Sequence, residues 1–559
     1  MTDKLNREEL AALEVGHTTV SRPLSVAIVL CFVLLIFFVP VVQTIVDAKN
    51  SEKQSLFTSL RKLVQAKEMA VIQVQNQALW PTLRYKNNRM LEGMDSFEEK
   101  LEKESFLRSL LLAPGQRLLL GLGYGNEKVY PGQRDWLFYR PDMDYLMGPG
   151  FLDQNWLQQR SDSGKVWEKQ VQPDPVQAIL TFQQQLAGRG ISLILMPTPI
   201  KATLHPEQFV AGNWHPPLQN RSWHGFLNKM QQVGIPVFDP APILVSFQQQ
   251  MDTSVYLQTD THWRPESMET VAEQLAGFVL KIVTLEGNAV SLQRQKVRIE
   301  NRGDIDAMLM MPERWDVYSR EQVTVHPVLT RASELWQPSP DADILLLGDS
   351  FSNIYSLAGM GWGEGAGLGE QLSYFLDRKV DVLLQNDAGA FATRELLSKE
   401  LARGRDRLAG KKVVIWQFAS RELSSGNWKK IPMLLRERPE SNFYVPPAGE
   451  EKKVSGIVAA ISRSPMPGSV PYKDNIVTLH LVDVRNAVTG EEYGQTLVYG
   501  WGMRENMLTV LARARLGEQI DIKLVDWDEV QGQYSSYRRS TLDDEMLELE
   551  LPVWGEIIQ

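Results

Sequence analysis

ILLLGDSFSNIYS, Ile344–Ser356, is the stretch on which the fold turns. Four apolar residues run without a polar break into Gly-Asp-Ser, and a short polar turn follows. A continuous apolar run marks a strand buried on both faces, as in a parallel sheet. Such sheets carry their sites beyond the carboxyl ends of the strands. Ser350 is therefore expected at a strand end, either as a nucleophile or as an ordinary turn serine.

Working outward, the same texture recurs in ISLILMPTPIK (Ile191–Lys201), VDVLLQNDAG (Val380–Gly389) and KKVVIWQFASRE (Lys411–Glu422), with IPVFDP (Ile235–Pro240) as a shorter strand. Helical patterns lie between them. PVQAILTFQQQLAGRG (Pro175–Gly190) has glycine where a C-cap belongs, and SWHGFLNKMQQVG (Ser222–Gly234) is another helix. Alternation of helices with apolar strands predicts an α/β domain built on a parallel sheet.

VPPAGEEKK, Val445–Lys453, reads as a domain boundary. Beyond it Val454–Ser464, Asn475–Val484, Gly494–Met503 and Gln519–Trp527 read as strands, and ENMLTVLARARLGE (Glu505–Glu518) reads as a helix. Val477, Leu479 and Leu481 alternate with Thr478 and His480, as in a half-buried strand. Residues 454–559 are expected to form a small β-barrel-like domain, OB-like or carbohydrate-binding.

At the other end, Leu24–Val46 carries no charge and is long enough to cross a bilayer. It is longer than the apolar core of a signal peptide and lacks a good cleavage site. The expectation is a tail over 1–23, an uncleaved transmembrane anchor over 24–46 and a helical stalk over 47–120. Lys4, Arg7 and Arg22 precede the span and Lys49, Lys53, Arg61 and Lys62 follow it, so basic residues do not decide its orientation.

The 559 residues suit two or three folded units, with 43% hydrophobic residues, 23% charged residues and a net charge of −9. No basic excess points to nucleic acid. The single cysteine, Cys31, excludes intrachain disulfides and thiolate metal cages. No metal or other cofactor is expected. Gly404–Lys412 imitates a phosphate loop, but its spacing fails and Lys412 stands where Ser or Thr is needed. Gly361–Glu370, GWGEGAGLGE, reads as a loop beside the site.

A serine nucleophile needs a base. His17, His205, His215, His224, His326 and His480 read as surface or packing residues. His262 differs. Asp260, Thr261, His262 and Trp263 lead into Arg264-Pro265, with proline at a helix start. Met268, Val271, Leu275 and Phe278 then form one apolar face. A carboxylate two residues from an imidazole, on a loop anchored by a rigid helix, can orient the ring and stabilise its protonated form. The rival reading is a capping aspartate with a histidine nearby.

DTHW before a helix and then GDSFS after a strand, in that order, together resemble the SGNH hydrolase-like domain of the alginate O-acetyltransferase (AlgX/AlgJ-like) family. The resemblance extends to Val129–Tyr139, Met196–Phe209, Asn301–Pro312 and Val413–Glu422, and covers roughly residues 125–430. It implies an SGNH-like parallel sheet with flanking helices over 121–445. It also implies Ser350 as nucleophile, His262 as general base and then acid, and Asp260 as its orienter. The Ser350 N–H and Asn386 are candidate oxyanion donors. Tyr355, Trp362 and Arg421 are candidates to face a sugar, because aromatic and guanidinium groups suit polyol surfaces.

The family further implies acetyl transfer to a bacterial exopolysaccharide, of the alginate or acetylated cellulose type. A membrane-bound acyltransferase would supply the acetyl group, and the body would lie in the periplasm, anchored to the inner membrane through residues 24–46. A carbohydrate acetylesterase needs the same three residues. A glycan-binding scaffold in an export complex is the non-enzymatic alternative.

Overall fold

The apolar runs become the strands of one parallel sheet. The computed structural model describes residues 21–49, 90–91, 94, 98, 105–164 and 170–558, apart from 286, 288, 316, 387–388, 438–440, 468–469, 471, 543 and 545. The chain divides into two compact units, Met1–Gly115 with Lys165–Glu168, and Gln116–Gly164 with Lys169–Gln559.

In the larger unit β1 (Ser192–Thr198), β2 (Ile344–Gly348), β3 (Asp381–Leu384) and β4 (Val413–Ala419) lie in the order β1-β4-β2-β3. All three pairings are parallel: Val413 stands opposite both Ser192 and Ile344, and Gly348 stands opposite Leu384. Every residue of β2, β3 and β4 is buried, because apolar side chains on both faces need cover on both faces. Buried side chains of helices Pro175–Ala187, Trp223–Gln232, Pro265–Ile282, Leu368–Leu376 and Ala392–Ala402 belong to the same core. The carboxyl ends of the strands share one edge, and from it emerge Lys201, Ser350, Asn386 and Arg421. IPVFDP contributes only a single bridge, Val237 to Leu195. VYPGQRDWLFY folds as a hairpin, with Val129 opposite Tyr139.

The C-terminal region is a closed five-stranded barrel. Its strands are β5 (Lys452–Ile461), β6 (Asn475–Asn486), β7 (Glu492–Arg504), β8 (Gln519–Asp526) and β9 (Pro552–Ile557). The order β6-β5-β8-β9-β7 closes through β7 on β6, and only β7 and β9 pair in parallel. Val454, Val477, Leu479, Leu481, Val498, Ile522 and Val553 fill its interior. The helix expected over Glu505–Glu518 is not formed. Glu505 and Asn506 both take positive φ, 49° and 64°, and turn the chain so that Met507–Leu508 pairs back on the end of β7. Two consecutive left-handed residues make a tight hairpin and cannot start a helix. One short 3-10 turn, Leu511–Arg513, follows.

In the smaller unit Arg22–Lys49 is a helix of 28 residues, with Phe32, Leu34, Phe37 and Phe38 exposed. The side chains at 35, 36, 39 and 40 lie outside the described residues. Among the described residues no helix is long and apolar enough to cross a membrane, so the span expected over 24–46 is a helix without structural support as an anchor. Most of the stalk expected over 47–120 lies outside the described residues; its end is the helix Phe106–Gly121.

Candidate active site

The three letters of Gly-Asp-Ser have separate duties. A methyl group at Gly348 would overlap the Ser352 side chain and Leu384, so glycine lets the chain fold back over the strand end. Asp349 caps the helical turn Ser350–Asn353 by accepting the Phe351 N–H at 2.9 Å. The same carboxylate accepts Gln417 Nε2 at 2.8 Å and the Ala419 N–H at 2.7 Å. Gln417 Oε1 in turn accepts the Asp349 N–H at 2.9 Å and the Ser352 hydroxyl at 2.7 Å. The end of β2 is thereby locked to β4, and Ser350, 6% exposed, opens the turn. Its N–H is at a position with no intrahelical acceptor.

The loop Asp260–Trp263 comes from the other side, fixed by the helix Pro265–Ile282, whose Met268, Val271 and Leu275 are buried. Asp260 Oδ1 lies 2.6 Å from His262 Nδ1 and also accepts the His262 backbone N–H at 3.1 Å. Asp260 Oδ2 accepts Trp362 Nε1 at 2.9 Å and the Asp304 N–H at 3.0 Å. Trp263 joins the two loops. Its Nε1 donates to the Phe351 carbonyl at 3.1 Å, and its own carbonyl accepts the Tyr355 hydroxyl at 2.6 Å. The His262 ring packs on Phe351, with centroids 4.8 Å apart. His262 Nε2 is buried without a hydrogen-bond partner, so no hydrogen bond joins it to Ser350.

Charge is finely set here. Burial pushes the Asp260 carboxyl up, but the hydrogen bond and charge of His262 outweigh it and bring it down to about 2. Burial pushes the imidazole down, and the Asp260 bond and charge, with Asp304 behind them, lift it above its ordinary value. Lys201, buried after β1, is lowered to about 8 by burial, against the pull of Asp260 and Asp304. Its ammonium donates to the carbonyls of Leu137 at 2.8 Å and Gln258 at 3.0 Å, so the sheet edge also holds the residues just before the Asp260–Trp263 loop.

Asp260, His262 and Asp304 are the one group of three among the described residues with ligand atoms close enough for a metal, all within 4.8 Å. The 2.6 Å contact between Asp260 and His262 is a hydrogen bond that leaves no room for an ion. Metal–ligand bonds of about 2.0–2.2 Å set two ligand atoms at least about 3 Å apart. The group is a hydrogen-bonded cluster of two carboxylates and an imidazole.

Residues 129–420 match the family described as the SGNH hydrolase-like domain of the acetyltransferase AlgX. The chain belongs to this AlgX/AlgJ family. It is 26% identical to the probable alginate O-acetylase AlgJ of Pseudomonas aeruginosa over 278 residues, 46% of this chain and 64% of that protein. To the probable alginate O-acetylase AlgJ of Azotobacter vinelandii it is 26% identical over 348 residues, 59% of this chain and 78% of that protein. The match thus spans less than two thirds of the Pseudomonas aeruginosa relative. Among solved structures, the O-acetyltransferase domain of Pseudomonas putida AlgJ aligns with TM-score 0.40 and 20% identity, over 54% of this chain and 93% of that one. Pseudomonas aeruginosa AlgX aligns with TM-score 0.37 and 13% identity, over 71% and 91%. Scores this low transfer no residue's role.

Within this AlgX/AlgJ-type domain the other candidate residues have mixed positions. Tyr355 and Trp362 are wholly buried. Each gives its one donor to the Asp260–Trp263 loop, so in this structure both pack within the fold and are not exposed to solvent. The glycine loop makes this possible: Gly361, Gly363 and Gly365 take φ of 82°, 101° and 66° and wrap Trp362 inward. Asn386 is buried, with Nδ2 against Met360 Sδ at 3.1 Å and Oδ1 accepting Asn353 Nδ2 at 3.1 Å; its amide is already engaged. Arg421 pairs with buried Asp142 at 3.1 Å, and its guanidinium lies 5.8 Å from the Phe351 ring centre. Asp142, Lys201, Trp263, Asp304 and Gln417 escaped the sequence reading as site residues. Lys201, Trp263, Asp304 and Gln417 lie within the stretches that carry the family resemblance, Met196–Phe209, Asp260–Trp263, Asn301–Pro312 and Val413–Glu422, which was the available signal.

Proposed function

We propose that the chain is a serine-dependent O-acetyltransferase that moves an acetyl group through Ser350 onto hydroxyls of a bacterial exopolysaccharide, of the alginate or acetylated cellulose type. The observation that carries this reading is the buried Asp260–His262 pair, 2.6 Å apart, tied through Trp263 to the segment that opens with Ser350. Relatives named as probable alginate O-acetylases support the acceptor class.

In the first step Ser350 Oγ attacks the donor's acetyl carbonyl, and His262 Nε2 takes the hydroxyl proton. The free Nε2 face is the one a base needs. Asp260 holds the tautomer and stabilises the imidazolium. The oxyanion meets the Ser350 N–H; Asn386 serves as a second donor only after leaving Met360. Collapse expels the donor's leaving group with the proton from His262, leaving an acetyl ester on Ser350. A sugar hydroxyl then gives its proton to His262 and attacks that ester, and Ser350 departs with the same proton. Water in place of the sugar makes the reaction an esterase.

Leu24–Val46 acts in this proposal as an inner-membrane anchor. It keeps the body in the periplasm beside a membrane-bound acyltransferase that supplies acetyl groups. Its support is the charge-free run in the sequence.

The test uses the full chain in detergent, 4-nitrophenyl acetate as donor, and oligouronide or cello-oligosaccharide as acceptor. Mass spectrometry should find acetyl on Ser350 and then on the acceptor. Acetate released without acetylated sugar assigns the esterase; an unacetylated Ser350 removes the serine mechanism.

A further inference from the structure

The Asp260–His262 pair is not the whole of what faces the imidazole. Thr261 lies between them in sequence, and its side chain turns to a second carboxylate. The Thr261 hydroxyl donates to Asp304 Oδ2 at 2.6 Å, and the Thr261 N–H donates to Asp304 Oδ1 at 2.7 Å. The same hydroxyl oxygen stands 3.0 Å from His262 Nδ1. A hydroxyl has one proton and two lone pairs. With its proton committed to Asp304, Thr261 Oγ1 presents only lone pairs to the imidazole N–H. That N–H is then shared between Asp260 Oδ1 and Thr261 Oγ1. Asp304 Oδ2 is itself 3.8 Å from Nδ1, close enough to add a second negative charge.

The chain is built to hold this arm. Asp304 follows Gly303, where a methyl group would overlap the Thr259 carbonyl and the Asp260 nitrogen. The Gly303 N–H donates to Thr259 Oγ1 at 3.1 Å, and the Ile305 N–H to the Thr259 carbonyl at 3.1 Å. The Asp304 N–H holds the far oxygen of Asp260. The segment 303–305 is thus held to Thr259 and Asp260 by three hydrogen bonds.

We propose that Asp304, acting through Thr261, is a second positioning residue for His262. It orients the hydroxyl that shares the imidazole N–H and raises the basicity of the ring beyond what Asp260 does alone. The inference rests on the acyl-transfer reading of the site. The charged groups that bear on His262 are Asp260 and Asp304, which favour its protonated form, and Arg421, which opposes it; Asp142 also lies within range. Those that bear on Asp304 are Asp260, His262 and Lys201. Burial and then the Asp260 charge push the Asp304 carboxyl up to about 7, so its charge changes across the range in which the imidazole works.

The test is the titration of His262 in the folded full chain, read by NMR of carbon-13-labelled histidine, with His262→Gln to identify the resonance. Asp304→Asn keeps the shape and removes the charge; Thr261→Val removes the shared hydroxyl; Thr261→Ser restores it. The His262 pKa should fall by about half a unit or more in Asp304→Asn and in Thr261→Val, and should stay in Thr261→Ser. Ester turnover should follow, with kcat down roughly tenfold and KM within about twofold, a share of the 10²–10⁴ that a positioned base supplies. Thr261→Val with Asp304→Asn should cost less than the sum of the two single changes, because both cut one arm. If Asp304→Asn does not fold, Thr261→Val and Thr261→Ser carry the same comparison. An unchanged His262 pKa in Thr261→Val overturns the inference. Acetylation of Ser350 in the unaltered chain is scored separately, so failure of the serine mechanism is told apart from failure of the second arm.

Discussion

In the proposed mechanism the chemistry rests on single atoms of Ser350 and His262. Replacing either residue with alanine should cost turnover on the order of 10⁶, and the double variant should cost little more, because they act as a unit. Asp260→Asn should cost about 10⁴. Burst kinetics with a chromogenic ester check all three. The imidazole is held above its ordinary pKa and acts as base only when neutral. The acid limb of kcat/KM should therefore lie above the ordinary histidine value of about 6.5, and Asp260→Asn should move it down. Asp304 gives a stability signature as well. Its carboxyl rises from 3.8 to about 7 on folding, so the folded state holds more protons than the unfolded one between those values. Stability falls as pH rises through that window and is level above it. Asp304→Asn should flatten the slope, read as melting temperature against pH. The closeness of Asp260 to His262 and the place of Ser350 at a strand end were legible from residue types and spacing. The packing of Tyr355 and Trp362 was not, because an aromatic side chain does not declare which way it points; the glycine loop and Trp263 decided that.

Among the elements, two short segments do more than their length suggests. The stretch Gly303–Ile305 docks on Thr259 and Asp260 with no space for a side chain at Gly303. Gly303→Ala should destabilise by roughly 3 kcal/mol, at the upper end of overpacking costs because backbone must move. It should lower activity more than stability alone explains, since the displaced loop carries Asp304. Chemical denaturation and kcat measured on the same sample separate the two effects. The hairpin at Glu505–Asn506 teaches a different lesson. MLTVLARARL looks helical by residue preference, yet two left-handed residues turn it back onto β7. Helix preference is a weak prior that sheet pairing overrides. The four strands of the parallel sheet had no such rival, and their unbroken apolar runs were legible.

Over the whole larger unit, the barrel and the α/β region are joined by buried charge. Arg403 donates to Tyr499 Oη at 2.8 Å, to the Glu548 carbonyl at 2.7 Å and to Glu400 Oε1 at 3.1 Å. Arg405 reaches Asp528 at 2.7 Å. Asn353, three residues after Ser350, donates to the Ser536 carbonyl of the barrel region at 3.3 Å. Removing one partner of a buried charged set strands the others, so Arg403→Ala should cost about 3–5 kcal/mol. Calorimetry should then show the barrel melting apart from the α/β region, and protease should cut between Val445 and Lys453. Protease added to spheroplasts tests the proposed topology: the body should be digested and Arg22–Lys49 retained in the membrane. A protected body reverses the orientation.

What the sequence determined by itself was whatever depends on short range. Apolar runs specify strands buried on both faces, period-two alternation specifies the barrel wall, and proline after Arg264 starts the helix that follows the Asp260–Trp263 loop. Asp260 and His262, two residues apart, had to be neighbours. What only the tertiary structure decided was everything brought together across long separations. Trp263 against Phe351, Trp362 and Asp304 on Asp260, and Gln417 across the strand ends are pairs whose members lie forty to more than a hundred residues apart in the chain. A local pattern carries no information about which distant group fills a hydrogen bond, because that choice is made by the packing that excludes water from both.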